Sequence, residues 1–187
     1  MQVIEWDDFI KTGLTLENNL TAMTVGFFDG VHLGHKTLID RIVSYGKKTV
    51  PVIITFTKKK NSKDIYNLRQ KINLFKDYGI AFTVVADLSE SFKRMSGKEF
   101  LRILKEKGNM EFLTIGSNFR CGHNQDTDAQ AIKKINAESG IKTDIIDVLT
   151  VQGLPISSSR IRQAILDGNL KEASAMLGRP YDQNMNI

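Results

Sequence analysis

Two histidines three residues apart, His32 and His35, stand in the stretch Val25-Gly26-Phe27-Phe28-Asp29-Gly30-Val31-His32-Leu33-Gly34-His35. The stretch leaves an apolar segment, turns through glycines and runs into residues at helical spacing. A strand, a glycine turn that lets backbone N–H groups come close, and a helix N-terminus together make a phosphate site, because the helix start is partially positive. Once the helix has begun, side chains three apart share a face, so both imidazoles would meet the same anion and stabilise charge developing on it. Two plainer readings stand beside this one. In the first, the histidines only cap a helix whose glycines serve the turn. In the second, His32, His35, Cys121 and His123 would ligate zinc, although helical zinc pairs are more often four apart.

Two other stretches look chemically loaded. Ser157-Ser158-Ser159-Arg160-Ile161-Arg162 reads as a serine-capped helix start with a cation one turn in. Residues 116–128 are polar and glycine-containing, with Asn118, Phe119 and Arg120 near their start. Asn118 is either a ligand contact or a loop asparagine that takes an unusual backbone angle.

The elements that must position these loops alternate in type. Strands are expected at 22–26, 50–56, 82–86, 112–115 and 143–148. Helices are expected at 35–45, 66–78, 97–107, 129–139, 157–167 and 170–177, with Gly108 and Gly140 as stops. Strands alternating with helices of about ten residues imply an α/β fold, a parallel sheet with helices on both faces. Ligands on such sheets sit beyond the carboxyl ends of the strands, near the switch in strand order. The loops 26–35, 116–128 and 151–160 all follow strands, so they can converge on one edge.

Composition narrows the class. The chain has 187 residues, 41% hydrophobic and 25% charged, enough for one core and one expected domain over 1–187. It has no apolar run of about 18 residues, so no membrane span is expected, and Met1–Asp8 lacks the order of a signal peptide. The single cysteine fits a reducing, cytoplasmic setting. The net charge of +5 is compatible with nucleic acid, but the basic residues are dispersed and the one tight run, Lys58-Lys59-Lys60, has no interleaved aromatics. A small anionic substrate accounts for it equally well.

Gly26 to His35 resembles the signature of the FMN adenylyltransferase domain of bacterial FAD synthetases, and His32-Leu33-Gly34-His35 resembles the His-x-Gly-His motif of the wider nucleotidylyltransferase superfamily. Ile115-Gly116-Ser117-Asn118-Phe119-Arg120-Cys121-Gly122 is similar to the family's flavin loop. Ile156 to Arg162 is similar to its Ile-Ser-Ser-Thr-x-x-Arg motif, and Leu177-Gly178-Arg179-Pro180-Tyr181 to its closing segment. The resemblance implies a Rossmann-like nucleotidylyltransferase fold and attack by the FMN phosphate on the α-phosphorus of ATP, giving FAD and pyrophosphate with Mg²⁺. It implies His32, His35 and Arg162 as catalytic residues. Gly26, Phe27, Phe28, Asp29, Gly30, Gly34, Ser157, Ser158 and Ser159 would bind ATP, and Phe56, Asn118, Phe119 and Arg120 would bind flavin, with no certain protein ligand for the metal. Alternatives are another phosphorylated acceptor, or a flavin-binding relative with little turnover.

The chain departs from the family at Thr57-Lys58-Lys59-Lys60 (usually Glu-Pro-His-Pro), at Cys121 (usually Phe), at Thr127-Asp128 (usually Gly-Asp), and at Ser159 (usually Thr). It stops after Asp182-Gln183-Asn184-Met185-Asn186-Ile187, too short for the riboflavin kinase barrel of bifunctional relatives. The expectation is therefore no kinase activity, with FMN supplied by a separate riboflavin kinase.

Overall fold

In the computed structural model, β-branched and aromatic runs form six parallel strands. They are β1 (Gln2–Glu5), β2 (Leu20–Gly26), β3 (Thr49–Thr57), β4 (Phe82–Asp87), β5 (Met110–Gly116) and a last sheet strand, Lys142–Ile146. The structure describes residues 1–17, 19–46, 48–57 and 64–181. Lys58, Lys59 and Lys60, and the closing residues 182–187, lie outside the described residues. Two short antiparallel pairs complete the strands: β6 (Arg120–Cys121) with β7 (Thr127–Asp128), and β9 (Thr150–Val151) with β10 (Leu154–Pro155). The sheet strand between them in sequence is β8, and the sheet order is β1-β4-β3-β2-β5-β8.

This order contains the switch on which the site depends. The chain winds outward from β2 through β3 to β4, then returns to place β5 on the other side of β2. Gly26 and Gly116 thus end the two adjacent strands at the point where winding reverses, the usual crevice for a ligand.

Alternation along the strands covers both faces. Met23, Val25, Val52, Ile54 and Leu113 face one way, onto α1 (Trp6–Thr12), α5 (Gly97–Gly108) and α6 (Ala129–Glu138) through Phe9, Leu104 and Ile132. Ala22, Ile53 and Phe112 face the other way, onto α2 (Leu33–Val43) and α3 (Leu68–Asp77) through Ile39, Ile42 and Phe75. A third cluster joins Ile65 and Tyr66 to α7 (Ser158–Leu166) and α8 (Leu170–Leu177). It anchors the serine–arginine helix beside the switch point.

The expected strands and helices are present, with three differences of substance. First, β1, α1 and a short helix α4 (Glu90–Arg94) were not expected. β1 is an edge strand that is mostly exposed, so it carries no apolar run. Second, α2 begins at Leu33 because His32 itself is the N-cap. Third, Gly108 is the last helical residue, and the left-handed cap falls on Asn109 at φ 52°. Gly108 packs closely against β2: a Cβ there would lie 2.2 Å from Met23 Cε, and the end of that side chain would have to shift.

Candidate active site

Between β2 and α2 the backbone is strained. Phe28, Gly30 and Val31 take φ of 49°, 77° and 42° around a 3₁₀ turn at Asp29–Val31. Glycine adopts such angles freely, but a left-handed β-branched residue costs on the order of 1–3 kcal/mol. Phe28 is fully buried, with its ring edge-on to Phe75 and 5.1 Å from His35. Its side chain supports His35 from the core, so any nucleotide contact by Phe28 runs through its backbone. The Phe27 carbonyl accepts hydrogen bonds from Lys71 Nζ (2.9 Å) and Thr55 Oγ1 (3.3 Å). Lys71, a buried cation beside the turn, carried no recognisable signal in the sequence, because it falls among the ordinary lysines of a helix.

The two imidazoles stack, with centroids 3.6 Å apart and planes at 16°. His32 Nδ1 accepts the His35 N–H at 3.3 Å, capping α2, so that nitrogen is unprotonated and Nε2 carries the hydrogen. The expected helix-capping role and the expected ligand role therefore occupy opposite nitrogens of one ring. Gly34 makes room for it: a Cβ there would approach the His32 ring to 3.3 Å.

Burial pushes the His32 pKa down from 6.5 to about 4, with the Asp29 carboxylate partly opposing and Arg179 adding to the fall. His35 is held well below 6.5 by burial, then by the charges of His32, Lys71 and Arg179. Both rings are therefore neutral near pH 7, and each offers one N–H. Because the unfolded chain protonates first, the stability held by neutral His32 is complete above pH 6.5 and is lost as pH falls toward 4. At about 1.4 kcal/mol per pH unit this amounts to about 3 kcal/mol. Thermal unfolding of the ligand-free protein between pH 7.5 and 4.5 should show the decline, and a His32→Asn variant should make it shallower, with His35 keeping its own share; equal slopes in both would contradict it.

The serines and Arg162 meet the same turn. Ser157 Oγ caps α7 by accepting the Arg160 N–H at 3.2 Å. Ser158 Oγ donates to the Asp29 carbonyl at 3.0 Å, and Ser159 Oγ accepts from Arg162 Nη2 at 3.1 Å. Arg162 Nη1 lies 2.5 Å from Asp29 Oδ2, while Asp29 Oδ1 accepts the Ile65 N–H at 2.9 Å. Asp29 is only 4% exposed. Its carboxylate thus works as a strut that aims Arg162 and fastens residue 65 to the turn, a role that leaves no carboxylate oxygen facing a nucleotide phosphate.

On the other side of Gly26, Phe27 and His35 opens a cavity of about 870 Å³, within the size range of small-ligand sites. Phe56, Phe92, Phe119, Met95 and Leu88 give it apolar walls; Asn118, Arg120 and Cys121 line it too. Phe27, 41% exposed, packs its ring 5.1 Å from that of Phe56. Asn118 is exposed and has no left-handed φ, so the special-backbone reading of this residue does not apply; Asn124 and Gln125 take such angles instead. Burial pushes the Cys121 thiol up to about 12, so it stays protonated.

The wall formed by α4 was missed from sequence, although Ser89 caps it through the Phe92 N–H. That wall is tied to the 116–128 loop by His123 Nδ1, which donates to the Lys93 carbonyl (2.9 Å), and the start of α5 is tied to the same loop by the Gly97 N–H, which donates to Asp126 Oδ1 (3.1 Å). Among the described residues no three His, Cys, Asp or Glu side chains gather as metal ligands. His32 and His35 lie ring on ring and His123 bonds a carbonyl, so the zinc reading has no geometry behind it.

The predicted residues therefore form two groups that share the 26–35 stretch. His32, Asp29, the serines and Arg162 lie on one side, and Phe56, Asn118, Phe119 and Arg120 line the cavity on the other, with Gly26, Phe27 and His35 between.

The chain is similar to known proteins over most of its length. The chain is 32% identical over 88% of its length, and 56% of the relative's, to a bifunctional riboflavin kinase/FMN adenylyltransferase of Buchnera aphidicola subsp. Schizaphis graminum. It is 24% identical to an FAD synthetase of Listeria monocytogenes, over 88% of this chain and 71% of that protein. A solved structure titled as a macrolide-efflux protein from Streptococcus pneumoniae superposes with a TM-score of 0.81 at 26% identity, covering 96% of this chain and 60% of that one. The chain thus spans little more than half the length of the bifunctional relatives it matches. The sequence pattern of the FAD synthetase family matches residues 15–160, and the chain belongs to that family.

Proposed function

We propose that this chain is an FMN adenylyltransferase, moving AMP from ATP to the phosphate of FMN with release of pyrophosphate. The observation that carries the reading is the two-sided site: anion-type donors on one flank of residues 26–35, and an aromatic cavity of about 870 Å³ on the other. The flavin ring fits the apolar flank, against Phe56 and Phe119 beside Asn118 and Arg120. The triphosphate fits the opposite flank, at the α2 and α7 starts.

With both substrates bound across one turn, the FMN phosphate reaches the α-phosphorus in line, and positioning supplies much of the rate. Neutral His32 and His35 donate N–H groups to oxygens that gain charge, without having to lose a proton. Arg162 has five N–H donors, of which the Asp29 and Ser159 bonds use two, leaving three for the β- and γ-phosphates. Mg²⁺, when bound, neutralises phosphate charge; with the Asp29 carboxylate engaged, the chain fits a metal held on phosphate oxygens and water. FMN comes from a riboflavin kinase reaction, and the single cysteine suits a reducing, cytoplasmic setting.

A second acceptor is favoured by one observation only: Cys121 lines the cavity where the family usually has phenylalanine. Incubation with ATP, Mg²⁺ and either FMN or pantetheine phosphate separates the readings. FAD formation with FMN supports the first; turnover of pantetheine phosphate alone overturns it.

A further inference from the structure

Arg179, beyond the segment matched by the family pattern, bonds directly to the backbone of the strained turn. Its Nη1 donates to the Val31 carbonyl at 2.9 Å and to the Leu177 carbonyl at 3.1 Å, and its Nη2 donates to the Gly30 carbonyl. The guanidinium lies over the Tyr66 ring, 5.1 Å from its centroid. It also sits where Gly178 turns at φ 70° against Leu33 of α2; a Cβ there would meet Leu33 Cδ2 at 2.3 Å.

The rest of the turn is held in the same manner. The Phe27 carbonyl takes Lys71 and Thr55, Phe28 takes the Val31 N–H, Asp29 takes Ser158, and His32 takes the Lys36 N–H. With Arg179 on Gly30 and Val31, every carbonyl from residue 27 to 32 accepts a hydrogen bond from the protein. A peptide whose oxygen is drawn back presents its N–H on the opposite side. The N–H of the Gly30–Val31 peptide is taken by the Phe28 carbonyl, so the N–H that Arg179 aims is that of the Val31–His32 peptide, at the N-terminus of α2. Val31 would leave its left-handed angle if released, because nothing intrinsic favours it there.

We infer that Arg179 is a positioning residue of the phosphate flank: it clamps the Gly30 and Val31 peptides so that the turn is built for an anion before the anion arrives. The inference deepens the proposed function, resting on the phosphate flank of that reading. It makes the segment after α8 part of the catalytic unit, through the backbone of the turn and with no contact to substrate. Preorganisation of this kind lowers the cost of binding because the ordering is already done.

The test compares wild type, Arg179→Ala and Arg179→Lys by calorimetric binding of inorganic pyrophosphate and of FMN, with thermal unfolding alongside. Arg179→Ala should weaken pyrophosphate at least tenfold and leave FMN affinity within twofold. Arg179→Lys, which keeps a cation for one carbonyl and folds more readily, should recover part of the loss. Unchanged pyrophosphate affinity in both variants overturns the inference, and so does a parallel weakening of pyrophosphate and FMN, which would mean general loosening. The adenylyltransferase reading is scored separately by FAD formation in wild type. If no FAD forms, the selective loss of pyrophosphate still decides the role of Arg179.

Discussion

Replacing His35 with alanine should lower kcat for FAD formation by about 10²–10³-fold while changing KM for ATP by less than about threefold. The expectation comes from the geometry of the pair. His32 spends Nδ1 on the α2 cap, and His35 is partly buried beneath it, between the His32 ring and Phe28. Neither ring is charged near pH 7, so neither attracts ATP by Coulomb force. A neutral donor gains most when charge grows on the oxygen it faces, which is a transition-state effect. Because alanine also leaves a hole against Phe28, His35→Phe is the needed companion: it keeps a ring in the stack and removes the N–H. Both variants should be equally slow. Near wild-type turnover by His35→Phe would show that packing, with no donated hydrogen, is what this position supplies.

Asp29→Ala should cost about 3 kcal/mol of stability and lower the melting temperature by about 5–10 °C, the largest effect of any single change in the site. Asp29 is 4% exposed and joins three elements at once, the turn, residue 65 and α7. Breaking a buried pair usually costs about 3–5 kcal/mol; the lower end applies because the Arg162 side chain is 31% exposed and partly solvated. Activity should fall with it, since Arg162 loses the partner that aims it. Asp29→Asn keeps an acceptor for the Ile65 N–H and should recover part of the stability and less of the activity. Melting within about 1 °C of wild type for Asp29→Ala would refute the strut role.

The sequence carried the sheet well because its strands are buried on both faces and read as unbroken apolar runs, such as Val50–Phe56 within β3. The site was legible where local chemistry dictates the residue type, with glycine before a tight turn, serine at a helix start and arginine one turn in. What stayed hidden was the supporting chemistry. Asp29 reads as one more polar residue in a motif, and only its distances to Ile65 and Arg162 turn it into a strut. Lys71 and Arg179 act on carbonyls distant in sequence, a pairing that no local pattern encodes. The α4 wall is five residues long, too short for helical periodicity to register, yet Phe92 places an apolar ring 5.7 Å from Phe56.

The central claim is that one turn, residues 26–35, presents ATP to FMN across a shared boundary. The most direct test is the release of pyrophosphate from ATP by the purified chain with Mg²⁺, followed with and without FMN. The arrangement predicts release that requires FMN and matches FAD formed one for one, since the proposed transfer is a direct in-line attack by the FMN phosphate. Pyrophosphate released without FMN, or released with FMN while no FAD appears, would contradict it.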